Sequence, residues 1–134
     1  MRLGFRHRMP TVELAMSLPS DAVWDVLVDL TSWPKWGPTV AGAELDEPGP
    51  LALGVRGKVW TPVGVPLPFE INEFIGGRVW AWRVAGVPAT RHEVIPTRGG
   101  CVLSMAVPIW APAYLSIMAV AVPRIERLAT TRAS

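Results

Sequence analysis

The chain has 134 residues, half of them hydrophobic and 18 % charged, with a formal net charge of +2. That is enough for one domain with a sizeable core and too little for two. Outside "RLGFRHR" at the start the arginines are scattered, so the basic stripe with interleaved aromatics that marks a nucleic-acid binder is missing and no nucleic-acid partner is expected.

Residues 1–10 read as a partly ordered N-terminal tail, and 11–134 as a single domain. In "TVELAMSL", residues 11–18, Val12, Leu14, Met16 and Leu18 share one face, which predicts a half-buried strand. Pro19-Ser20-Asp21 then opens a helix with Ser20 at its N-cap. Val23, Trp24, Leu27 and Leu30 recur at helical spacing, so the helix covers about 20–30, and Trp33 and Pro34 end it. Strands follow at 40–47, 54–63, 68–75, 78–85, 89–97 and 101–109. Gly76-Gly77 and Gly99-Gly100 mark hairpins, and Gly86-Val87-Pro88 separates two strands. A final helix runs from near Pro112 to about 129, with Pro123 kinking or splitting it.

From Cys101 to Pro123 no residue is charged, a length that would span a bilayer. Pro108, Pro112 and Pro123 divide it, and a buried strand followed by a buried helix is the preferred reading. Cys101 is the only cysteine, which excludes an intrachain disulfide and fits a reducing, cytoplasmic setting. The expected architecture is α+β: a curved antiparallel sheet of about six to seven strands wrapped around a long C-terminal helix, with one or two short helices after the first strand. A sheet curved around one helix leaves a space between them, the natural place for a ligand.

The stretches "PSDAVWDVLVDLTSWPKWGPTV", "LALGVRGKVW", "FEINEFIGGRVWAWRV", "HEVIPTRGGCVLSM" and "RIERLA", in this order, carry a resemblance over roughly residues 11–130. The chain resembles the START-like helix-grip (SRPBCC) superfamily, above all its polyketide cyclase/dehydrase and lipid-transport branch. The resemblance implies a hydrophobic cavity between sheet and last helix, with the "TSWPKWGPTV" loop at its mouth. It does not imply one reaction, because this fold hosts enzymes, carriers and receptors. In aromatase/cyclases of the superfamily an arginine on the cavity strands polarises a ketone. Arg83 and Arg56 are the candidates here, and Glu73 or a neighbour stands where those enzymes carry their main catalytic arginine.

Each candidate side chain has a bland alternative. Trp36 either touches a ligand at the entrance or, like Trp33, staples the loop to the sheet. His92 shares a face with Thr90 and Val94 and is either a pocket group able to exchange a proton or a hydrogen-bonded core or edge histidine. Parity puts Phe69, Ile71, Glu73 and Ile75 on one inward face. Glu73 is then either a carboxylate with a raised pKa in an apolar cavity or a surface partner of Arg78 across the Gly-Gly turn. Bulk favours Trp80 and Trp82 inward. Trp60, Met105, Tyr114 and Met118 complete the expected cavity lining, with core packing as the alternative for the helix residues.

The leading expectation is a protein that binds an apolar or aromatic small molecule, lipid or polyketide-like. Filling of the space by Trp60, Trp80 and Trp82 would defeat it. The alternatives are a polyketide cyclase/dehydrase with His92, Glu73 or Arg83 as catalytic residues, and a protein-interaction or membrane-surface module. A homodimer is left open and membrane contact is disfavoured. No metal and no cofactor are expected, since neither a ligand cluster nor a phosphate or dinucleotide motif is present.

Overall fold

The computed structural model describes residues 1–133; Ser134, the end of the expected domain, lies outside them. Eight strands form one antiparallel sheet: β1 (Arg2–Arg6), β2 (Met9–Met16), β3 (Gly42–Leu45), β4 (Arg56–Trp60), β5 (Pro66–Ile75), β6 (Val79–Val84), β7 (Val87–Thr97) and β8 (Gly100–Ala106). Their order across the sheet is β1-β2-β8-β7-β6-β5-β4-β3. Three helices complete the chain: α1 (Ser20–Val28), α2 (Trp33–Trp36) and α3 (Leu115–Ala133). Helix α3 packs on β2, β8, α1 and α2, so one face of the sheet meets helices. This is the expected α+β architecture with one more strand than expected.

The extra strand is β1. Residues 2–6 lie not in a loose tail but in an edge strand paired with β2, Arg2 opposite Glu13 and Arg6 opposite Met9. His7 and Arg8 make the turn, both with positive φ (54° and 62°), the backbone that matches the twist of a two-residue hairpin. Glu13 fixes the hairpin from the far side, accepting from Arg6 Nε at 2.9 Å with Arg2 3.8 Å away.

The helical region also departs from its reading. Ser20 is the first helical residue rather than the cap; Pro19 holds the cap position and no side chain caps the helix. A 3-10 turn at Leu30–Ser32 follows, started by Asp29, whose carboxylate accepts from Thr31 N at 3.0 Å. Trp33 and Pro34 do not simply end a helix but begin the single turn α2, because the N–H that proline lacks would have no intrahelical acceptor in a first turn. At the C-terminus, a 3-10 turn (Pro112–Tyr114) leads into α3, which continues through Pro123 without dividing. The uncharged run from Cys101 is thus split between β8, a connecting loop and α3, and no helix among the described residues is long and apolar enough to cross a membrane.

Strand β5 contains the irregularity that matters most for the site. Ile71 pairs with Trp82, but the next pair is Glu73 with Ala81, leaving Asn72 bulged. One inserted residue reverses the parity of everything after it. Phe69 and Ile71 point to the core, and beyond the bulge Phe74 takes the inward place and meets Trp24 edge-on at 5.7 Å. Gly57 on β4 is required by this packing. A Cβ there would lie 2.7 Å from the Phe69 ring and 2.3 Å from the Glu44 carbonyl oxygen.

Candidate functional site

An aromatic stack forms the floor of the site. Trp33, 1 % exposed, stacks on Trp80 with centroids 5.0 Å apart and meets Trp82 and Phe69 edge-on or tilted. His92 also stacks on Trp80, with centroids 3.8 Å apart. The polar ends of these rings are tied locally. Trp33 Nε1 donates to the Leu27 carbonyl at 2.9 Å, and Trp36 Nε1 to Ser32 Oγ at 3.2 Å. Trp33 is therefore anchored to the end of α1 and Trp36 to the 3-10 turn after it, and Trp36 also sets its edge against His92 at 6.0 Å.

The space under α3 is filled by this packing, but a hollow of about 280 Å³ opens at the N-terminal end of the helix. Its walls come from Val59 and Trp60 on β4, Leu67 on β5, Trp82 and Val84 on β6, and Ala89 and Thr90 on β7. The loop from Pro108 to Ala111 and Tyr114 close the other side, with Trp110 standing 64 % exposed at the rim. Thr39 and Tyr114 share a hydrogen bond that joins the loop after α2 to the turn before α3. Among the described residues no charged side chain lines the hollow. A second, inner chamber of about 20 Å³ adjoins it, sharing Trp82, Thr90 and Tyr114 and lined further by Trp33, Trp36, Trp80, His92 and Met118.

The expected site residues thus separate into groups. Trp60, Trp82 and Tyr114 line the hollow, while Trp82 also belongs with Trp33 and Trp80 to the cluster that fills the middle of the expected cavity. Trp36, Trp80, His92 and Met118 reach only the inner chamber. Phe69, Ile71 and Met105 are core residues that line neither.

The two charged candidates lie on the other face of the sheet. Glu73, turned outward by the bulge, accepts from Arg91 Nε at 2.9 Å and Nη2 at 3.1 Å. Those hydrogen bonds hold its carboxyl below the usual carboxylate range, the reverse of the rise expected in an apolar cavity. Its partner is Arg91 and not Arg78, which donates to the Val94 carbonyl at 3.2 Å. Arg83, outward because Trp80 and Trp82 face in, is exposed and 4.0 Å from Glu70, as Arg56 is at 3.5 Å. Neither arginine enters the hollow.

His92 is 1 % exposed, and its bonds fix its tautomer. Nδ1 lies 3.1 Å from the Trp80 carbonyl oxygen, which can only accept, so Nδ1 carries the proton. Nε2 is then bare and accepts from Thr90 Oγ1 at 3.0 Å, while Trp82 Nε1 donates to the same oxygen at 2.9 Å. Burial, opposed by the Trp80 carbonyl and helped by the Arg91 charge, lowers the His92 pKa to about 3. The imidazole is neutral at physiological pH and holds the Thr90 hydroxyl proton. Thr90 itself was legible only as the residue two before His92 on one face; Thr39 and Trp110 gave no signal in the sequence.

The sequence profile of the family described as "Polyketide cyclase / dehydrase and lipid transport" matches residues 10–130. The chain belongs to that family. Solved structures share the fold of this family member. A protein from Mesorhizobium loti is similar with a TM-score of 0.73 and 16 % identity, over 92 % of this chain and 97 % of that one. An AHSA1-like protein from Aeromonas hydrophila is similar with a TM-score of 0.69 and 12 % identity, over 92 % of each. DynU16, a protein of the dynemicin biosynthetic locus, is similar with a TM-score of 0.67 and 17 % identity, over 91 % of this chain but 47 % of its own. No curated protein matches the chain.

Proposed function

We propose that this family member binds a compact, neutral, largely apolar or aromatic molecule in the hollow between β4–β7 and the 108–114 segment. The observation that carries this reading is the hollow itself: about 280 Å³, walled largely by valine, leucine, alanine and tryptophan, with hydroxyls and indole N–H groups as its polar side-chain groups among the described residues. That volume lies at the low end of small-molecule sites, near 300 Å³, and suits a small ring system better than a long-chain lipid. Affinity comes from apolar burial at roughly 25 cal/mol per Å², less the costs of association. The single buried thiol, Cys101, supports a reducing cytoplasmic setting for this reading.

The second reading, a cyclase or dehydrase acting on a polyketide, is favoured by the family description and by DynU16's place in the dynemicin locus. It needs a general base poised near the working pH. Among the described residues no carboxylate, histidine or lysine lines the hollow, and His92, which lines the adjoining chamber, is held neutral by burial with a pKa of about 3, so binding without chemistry ranks first.

Displacement of a hydrophobic fluorescent probe by small aromatics tests the leading reading. The Ala89→Trp variant, which puts an indole into the hollow from a partly exposed position, should lose probe affinity at least tenfold at an unchanged thermal midpoint. Unchanged affinity in this variant would sink the assignment of the hollow.

A further inference from the structure

Most buried polar atoms of the protein are paired within it; Trp80 Nε1 and Thr11 Oγ1 are the two side-chain exceptions among the described residues. Thr11 sits opposite Gly4 and Ala106 and lines neither chamber. Trp80 is fully buried and lines the inner one. Trp33 and His92 both stack on its indole, whose one polar atom is Nε1. A buried donor without a partner is uncommon in folded proteins and marks a place where a partner is to be supplied.

Thr90 contributes the complementary atom. Its proton is committed to His92 and one lone pair to Trp82, which leaves Oγ1 one further lone pair and nothing to donate. The chamber, at about 20 Å³, has room for one oxygen-sized group, for which roughly 10–15 Å³ suffices. It adjoins the main hollow along Trp82, Thr90 and Tyr114.

We propose that the inner chamber is the subsite for a single hydroxyl, so that the ligand is a neutral aromatic alcohol. Its ring system occupies the hollow, and its oxygen accepts from Trp80 Nε1 and donates to Thr90 Oγ1. This rests on the hollow being the ligand site. A carbonyl would satisfy Trp80 but leave the Thr90 lone pair unmet. A carboxylate would bury a charge with no cation lining the chamber.

The test compares 2-naphthol with 2-methylnaphthalene, which has the same shape and is more apolar, on the full-length protein. Affinities are read by displacement of the hydrophobic probe, and the tryptophan indole N–H resonances by nitrogen-15 NMR, Trp80 being assigned from a Trp80→Phe sample. The expected result is about tenfold or greater preference for 2-naphthol, with a downfield shift of the Trp80 N–H on binding 2-naphthol only. Thr90→Val should abolish the preference and Thr90→Ser should keep it. Should Thr90→Val fail to fold, the two-ligand comparison and the Trp80 resonance on the native protein decide. Equal affinities with an unmoved Trp80 resonance would overturn the hydroxyl subsite and leave the binding reading standing. Failure of both compounds to displace the probe would overturn the binding reading and the subsite with it.

Discussion

His92 shows how one buried residue links packing to pH dependence. Its folded pKa, about 3, lies below the ordinary 6.5 because the ring is out of water and the Trp80 carbonyl only partly compensates. The unfolded chain therefore takes up a proton below pH 6.5 that the folded chain refuses until about pH 3. Stability is fully present above 6.5 and falls as the pH is lowered through that window, by about 1.4 kcal/mol per pH unit from this residue. Urea midpoints measured between pH 6.5 and 5, above the range of ordinary carboxylates, should show this slope in the native protein and not in His92→Gln. On the opposite face of the sheet Arg91, with a side chain only 12 % exposed, bridges Glu73 and Glu93. Arg91→Ala should cost about 2 kcal/mol, less than the roughly 3–5 kcal/mol of a fully buried pair because Glu73 is two-fifths exposed. The company of His92 with Thr90 on one face was legible from two-residue periodicity; that this face is buried is shown by the structure. Glu73 was not: the bulge at Asn72 that turns it outward has no marker in "FEINEF", and its arginine partner lies two strands away.

At the level of elements, strands β2 and β4–β8 were readable because alternating apolar residues and glycine turns agree on them. Edge strand β1 was not, since Leu3 and Phe5 stay 67 % and 74 % exposed and the strand buries no apolar face of its own. The "TSWPKWGPTV" segment was readable as stiff and aromatic but not as a helical turn, because Pro34 fits the first turn of a helix as well as it ends one. Strand β3 depends on a single absent side chain. With Gly57 facing both the Phe69 ring and the Glu44 carbonyl, Gly57→Ala must displace either the aromatic floor or the β3–β4 ladder. A loss of roughly 1–3 kcal/mol is expected, read as a lowered denaturation midpoint. Retention of the native midpoint would mean that β3 shifts freely.

For the whole molecule, the arrangement of sheet and C-terminal helix followed from the order of the motifs, but the position of the hollow did not. It depends on how Trp33, Trp80 and Trp82 pack, which fills most of the middle of the expected cavity and leaves the small inner chamber and, at the end where Tyr114 meets Thr39, the larger hollow. Sequence parity names inward residues; it does not say which of several inward tryptophans bounds a space and which fills it. The central claim is that this end hollow receives the ligand. It is tested most directly by recording amide and indole NMR shifts of the native protein during titration with 2-naphthol. The account predicts that the largest changes fall on Trp60, Trp82, Thr90 and Tyr114; shifts concentrated on exposed Leu3 and Phe5 of β1, with those four unmoved, would contradict it.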